Sequence, residues 1–291
     1  MGAEPEPRVP PGLDPGGIAV AHIDTGVNYT LPVISKRLAR DGEGDIIGYD
    51  FEDDDLTPFD AAPGRRSGSS VGNIPSADGP SRIRRHGTSV AAIILREAPT
   101  ARLQPYRFAV QRPESFAEAI AQIAYTEARI VAMPLGGYRR EEWEPFRAAA
   151  AANPQLLFIV SAGNEGRDLA ERPIYPPAFQ LANVLVVAGT DPFGRFPRAS
   201  NTGASIIDIA TPSERIKSIG FDGARTAVSG SSFAVPRIAA LAARMLKQSP
   251  DLETTALKQK IIALAGPNPS HRAPMTKHGW IAAPDQLLPP G

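Results

Sequence analysis

Short apolar runs alternating with helix-patterned stretches constrain this chain more than any other feature. Residues 18–23, 46–49, 103–108, 130–135, 157–161, 184–190 and 206–210 read as strands, several of them rich in Val and Ile and flanked by Gly or Pro. Between them, residues 88–96, 115–126, 141–152, 232 to about 247 and 253–264 carry helical patterns. Such alternation implies an α/β fold: a three-layer, doubly wound, mostly parallel sheet with helices on both faces. In such a sheet, functional groups collect at the carboxyl ends of the strands. The 291 residues suit one large domain and hold no internal repeat.

The expected boundaries are a flexible, Pro- and Gly-rich extension over 1–16 and a single folded domain over 17–291. Residues 61–85, rich in Gly, Ser, Pro and Arg, read as a mobile surface insertion. An acidic run with Asp50, Glu52, Asp53, Asp54 and Asp55 precedes it.

Charge and composition exclude several classes. Lys plus Arg and Asp plus Glu are both 31, so no bulk positive charge points to nucleic acid or an anionic membrane. There is no cysteine, which rules out disulfides, thiolate catalysis and cysteine-bound zinc. No apolar run approaches a membrane span. The first residues lack the apolar core of a signal peptide, so the expected location is the cytoplasm, or outside the cell if an export segment has been removed.

Four short blocks carry groups suited to catalysis. In Ile23-Asp24-Thr25-Gly26 an apolar run delivers a carboxylate at a strand end, with Gly26 permitting a tight turn. Alone, this Asp serves equally as a turn residue, or as one half of an aspartic protease pair that would need a dimer. His86 opens an apolar helix beside Gly87. Of the other histidines, His22 alternates into a strand and reads as structural, and His271 and His278 lie in a polar C-terminal segment. In Ser229-Gly230-Ser231-Ser232-Phe233-Ala234-Val235-Pro236, Ser232 sits at a helix N-terminus, where free N–H groups and the positive dipole end favour a nucleophile. A plain serine cap has the same pattern. In Ala162-Gly163-Asn164-Glu165-Gly166 a strand breaks into a turn that offers the Asn164 amide as a donor.

Taken together and in this order, the blocks resemble the subtilisin-like serine proteases. The resemblance spans about 17–283. It also takes in Met133-Pro134-Leu135-Gly136-Gly137, Tyr175-Pro176-Pro177-Ala178, Ala188-Gly189-Thr190-Asp191 and Ser200-Asn201-Thr202-Gly203. It implies a serine endopeptidase acting through an acyl-enzyme, with Asp24, His86 and Ser232 as triad and Asn164 in the oxyanion hole. It further implies that Met133, Pro134, Leu135, Gly136, Gly137, Ala162 and Gly163 bind substrate, and that extended substrate adds as a strand beside 130–137. The partners implied are protein or peptide substrates, with the chain expected as a monomer.

This sequence departs from the family pattern at four places. Pro134 stands where Ser is usual, Ser89 where His is, Ala92 where Gly is and Ser231 where Thr is. None removes a catalytic group. The calcium loop that often interrupts the helix after the family's histidine has no room here, because Arg96–Ala101 runs directly into the next strand. No cofactor is therefore expected. Calcium has one remaining candidate site, the acidic run with Asp60, which Arg65 and Arg66 would neutralise instead. A catalytically silent binding protein of the same fold is the alternative, although no triad residue is lost.

Overall fold

The computed structural model describes residues 6–60, 85–109 and 112–289. Its strands are β1 (Ala19–Asp24), β2 (Tyr49–Asp50), β3 (Arg102–Arg107), β4 (Ile130–Met133), β5 (Leu157–Ser161), β6 (Val184–Thr190), β7 (Ile209–Pro212), β8 (Ile216–Ile219) and β9 (Arg225–Val228). Its α-helices are α1 (Pro32–Ser35), α2 (His86–Glu97), α3 (Ser115–Ala124), α4 (Glu144–Ala152), α5 (Ala234–Gln248) and α6 (Thr254–Ala263). The first seven strands form one sheet in the order β2-β3-β1-β4-β5-β6-β7, with every neighbouring pair parallel.

Alternate residues of each central strand face opposite cores, as a period of two requires. Val20, Ile130, Ala132, Leu157 and Ile159 join one cluster, built mainly with α2, α5 and α6. Ala21, Ile23, Val131, Met133, Phe158 and Val160 join the other, with α3 and α4. Each fully buried Val, Leu or Ile contributes about 1.5–3 kcal/mol of transfer free energy. Burial on both faces therefore accounts for the near-continuous apolar runs.

The topology fixes where a site can form. From β1 the chain moves to one side of the sheet, through β2 and β3. From β4 it moves to the other, through β5, β6 and β7. The crevice beyond the carboxyl ends of β1 and β4 is the switch point, the usual ligand site of an open α/β sheet.

Some elements differ from the sequence expectation. The strand expected over 46–49 is reduced to Tyr49–Asp50, because the Ile47 N–H turns back to the Ala39 carbonyl at 2.9 Å. The strand expected over 206–210 slides to Ile209–Pro212, because the Ile206 and Ile207 N–H groups both close turns onto Gly203. The antiparallel pair β8–β9 was not foreseen. Its pattern is weak because only the Ile216–Val228 pair at one end reaches an apolar cluster, formed with Val90, Ile93 and Phe233. Residues 6–16 are tied to the domain. The Tyr29 hydroxyl donates to the Pro7 carbonyl, Arg40 donates to Pro10, and the Asp14 carboxylate accepts from the Arg40 N–H at 2.8 Å. The expected 61–85 insertion lies, apart from Arg85, outside the described residues.

Candidate active site

Asp24 is the last residue of β1 and is fully buried. His86 is the first residue of α2, and its Nδ1 lies 2.9 Å from both Asp24 carboxylate oxygens. Gly87 makes this approach possible: a Cβ there would stand 2.1 Å from the Gly26 carbonyl oxygen. The Thr25 N–H also donates to Asp24 Oδ1, at 2.7 Å. Burial alone would raise the Asp24 pKa, but the charge and hydrogen bond of His86 outweigh it and hold the carboxyl below its usual range. Burial likewise opposes a charged His86, yet the Asp24 carboxylate prevails and raises the imidazole above its ordinary value.

Ser232 lies in a single 3₁₀ turn, Ser231–Phe233, that leads into α5. Its Oγ is 3.5 Å from the Pro134 carbonyl oxygen. The neighbouring Phe233 ring packs against the His86 ring with centroids 5.2 Å apart. The Ser232 turn, His86 and the end of β4 thus meet at the switch point. Gly189 lets this turn rest on β6, since a Cβ there would lie 3.1 Å from the Ser231 Cα and 2.1 Å from Ser213 Oγ. Ser231 is fully buried, and its hydroxyl shares a 2.7 Å hydrogen bond with Ser161 Oγ at the end of β5. Any replacement for the usual Thr needs that hydroxyl, and Ser supplies it.

Asn164 follows β5. Its Oδ1 accepts from the Ser231 N–H at 2.8 Å, which orients the amide. The Nδ2 makes no hydrogen bond among the described residues, so it remains a donor beside Ser232. The loop holding it is laced together by Asn201, which is fully buried. The Asn201 side chain accepts from the N–H groups of Glu165 (3.0 Å) and Arg167 (2.8 Å), and donates to the Ala162 carbonyl (2.7 Å) and to Glu165 (2.6 Å). That lattice is the physical content of the Ser200-Asn201-Thr202-Gly203 block.

The expected substrate-binding residues divide into two groups. Pro134, Leu135, Gly136 and Gly137 leave the end of β4, and Ala162 and Gly163 leave the end of its neighbour β5. Met133 is fully buried in the core beneath them. The expectation of strand addition along 130–137 has to be cut back. Ile130, Val131 and Ala132 are already paired on both edges, by β1 and β5. Gly137 exchanges both backbone hydrogen bonds with Tyr175, at 2.9 and 2.8 Å. This leaves the backbone of 134–136 for an incoming chain.

Sequence reasoning missed Asp60 as a support. It is fully buried, and burial pushes its carboxyl up to about 7. Its oxygens accept from Thr25 Oγ1 (2.7 Å), Thr88 Oγ1 (2.5 Å) and the Thr88 N–H (3.0 Å). Thr25 Oγ1 in turn accepts from the Gly87 N–H at 2.9 Å. Asp60 therefore serves the orphan donors of α2's first turn from a distant loop, a cap that local spacing cannot reveal. His22, expected as structural, is fully buried with Nε2 3.1 Å from the Gly87 carbonyl, and burial lowers its pKa. Ser89, a departure from the family pattern, ties α2 to β8: its Oγ donates to Ile219, and Ser218 Oγ donates to the Ser89 carbonyl.

Among the described residues, Glu6, Asp50 and Asp53 form a three-carboxylate cluster that a cation would suit. The Arg107 guanidinium already lies in it, 2.8 Å from Asp50 and 2.7 Å from Asp53. Arg65 and Arg66, expected to neutralise the acidic run, lie outside the described residues. Asp60, expected with that run, belongs to α2 instead.

Comparison with known proteins identifies the family. A profile of the subtilase family matches residues 16–280. The chain is 29% identical over 237 residues to a thermophilic serine proteinase of Bacillus sp. (strain AK1), covering 80% of this chain and 53% of that protein. It is 26% identical over 236 residues to thermitase of Thermoactinomyces vulgaris, covering 80% of this chain and 76% of that one. The chain thus spans about half the length of the first relative. A crystal structure of a cold adapted subtilisin-like serine proteinase superposes with a TM-score of 0.70 at 22% identity, covering 97% of this chain and 94% of the other.

Proposed function

Because the chain belongs to the subtilase family, we propose that it is a serine endopeptidase that hydrolyses peptide bonds in protein or peptide substrates through an acyl-enzyme. The observation that carries this reading is the Asp24–His86 pair facing the turn of Ser232, with both carboxylate oxygens 2.9 Å from Nδ1. Nδ1 held as a donor leaves Nε2 as the base.

Ser232 Oγ attacks the substrate carbonyl as His86 removes its proton, and the imidazolium then protonates the leaving amine. Asp24 holds the tautomer and stabilises the imidazolium. The Asn164 Nδ2 and the Ser232 N–H, one at a side chain and one at the helix start, receive the oxyanion. The chain on the acyl side pairs with the backbone of 134–136. Pro134 offers a carbonyl but no N–H there. Such pairing needs an extended substrate, which favours unfolded chains and mobile loops. The turnover needs no metal or organic cofactor.

Peptide hydrolysis by the purified chain tests the proposal. Ser232→Ala is expected to abolish turnover, a loss on the order of 10⁶. Asn164→Ala is expected to lower kcat by roughly 10²–10³ with little change in KM, because its donor acts mainly in the transition state. Undiminished hydrolysis by Ser232→Ala would refute the assignment.

A further inference from the structure

We infer that Ile174 closes the side-chain slot beside Ser232 and restricts the enzyme to a small residue, Gly, Ala or Ser, on the acyl side of the bond it cuts. This rests on the hydrolase reading given above and adds the substrate class.

The slot arises from the sheet. β4 and β5 are adjacent and parallel, with Met133 level with Val160. Beyond the sheet they continue as 134–137 and 161–164, two backbone walls with Ser232 Oγ at the Pro134 carbonyl on one side and the Asn164 amide on the other. A residue whose carbonyl lies between Ser232 and Asn164 must direct its side chain between these walls. Both walls carry a glycine, Gly136 and Gly163, which leaves the slot free of their own side chains.

The space is nevertheless filled. The Gly137–Tyr175 pairing brings the next segment across the end of the slot. There a Cβ on Gly136 would meet the Tyr175 carbonyl at 3.0 Å and the Ile174 Cδ1 methyl at 3.8 Å, and a Cβ on Gly163 would meet Asn201 and Glu165 at 2.6 Å and the same methyl at 2.8 Å. A single methyl group thus lies within reach of a side-chain position on either wall. Ile174 is only 3% exposed and belongs to the apolar core, so its side chain is held in place at the end of the slot. A methyl or hydroxymethyl group fits above it. A benzyl or isobutyl group would need the isoleucine to move out of a packed core, and such cores resist added volume.

Peptides identical except at the acyl-side residue, assayed with the purified chain, test this. Wild type is expected to cleave after Ala with kcat/KM about tenfold or more above Phe or Leu, the scale of discrimination that pocket volume supplies. Ile174→Ala is expected to raise the Phe-to-Ala ratio of kcat/KM by about tenfold or more. Should that variant fail to fold, the wild-type cut sites in an unfolded protein such as casein, read by mass spectrometry, decide the matter. Small residues at those sites support the inference. Wild type that cuts best after Phe or Leu overturns it while leaving the hydrolase reading intact, as does an Ile174→Ala ratio equal to wild type. Cleavage of no peptide at all overturns the hydrolase reading and this inference with it.

Discussion

His86 works between two opposing effects: burial disfavours its charged form, while Asp24, and more distantly Asp60, favour it. The second side prevails, so the pKa stands above the ordinary 6.5. The free base required for proton abstraction therefore appears only as pH rises through that raised value. kcat/KM is expected to fall on the acid side along a single-proton limb centred above 6.5, as a pH–rate profile would show. A limb centred below that value would mean that Asp24 does not govern the base. The candidate residues of this site could be singled out only from the order of the four blocks and the family they resemble, because Asp24, His86, Ser232 and Asn164 each also fit an ordinary turn, cap or structural role. Asp60 and Ile174 could not be singled out. Their partners lie far away in sequence, Thr88 for the first and Gly136 with Gly163 for the second, and nothing local distinguishes either from a loop acid or a core aliphatic.

Among the elements, α2 carries the histidine and is anchored at both ends. Asp60 binds its first turn, and near its last turn Glu97 accepts from Arg237 Nε of α5 at 3.1 Å. Arg237 also donates to the Pro212 carbonyl and pairs with Asp285, so one buried guanidinium joins α2, α5, β7 and the C-terminal segment. Removing it leaves the buried Glu97 with Arg96 alone. Arg237→Met, made in a Ser232→Ala background to prevent self-digestion, is expected to cost about 3–5 kcal/mol of unfolding free energy in urea. A loss below about 1 kcal/mol would show that the pair is energetically idle. The major elements could be read from apolar periodicity because both faces of the sheet are buried. The β8–β9 hairpin could not, since none of its residues is fully buried and β8 is tied to α2 by Ser89 and Ser218 hydroxyls.

For the molecule as a whole, a parallel sheet with one switch point brings together groups from residues 24, 86, 134, 164 and 232. Among the described residues, no helix is long and apolar enough to cross a membrane. The Glu6–Asp50–Asp53 cluster already holds the Arg107 cation, which offsets the carboxylate charge that would attract calcium. Only a ligand bound to the native state raises its stability. Ser232→Ala protein is accordingly expected to melt at the same temperature in EDTA as in millimolar calcium, and a fall of several degrees in EDTA would reveal a structural cation site. The central claim is that Ser232 is a nucleophile activated by His86. Labelling the wild-type chain with a fluorophosphonate and locating the adduct by peptide mass tests it most directly. The adduct is expected on Ser232, and to be lost in His86→Ala. A chain that stays unlabelled while it cleaves peptides, or an adduct on another residue, would contradict the account.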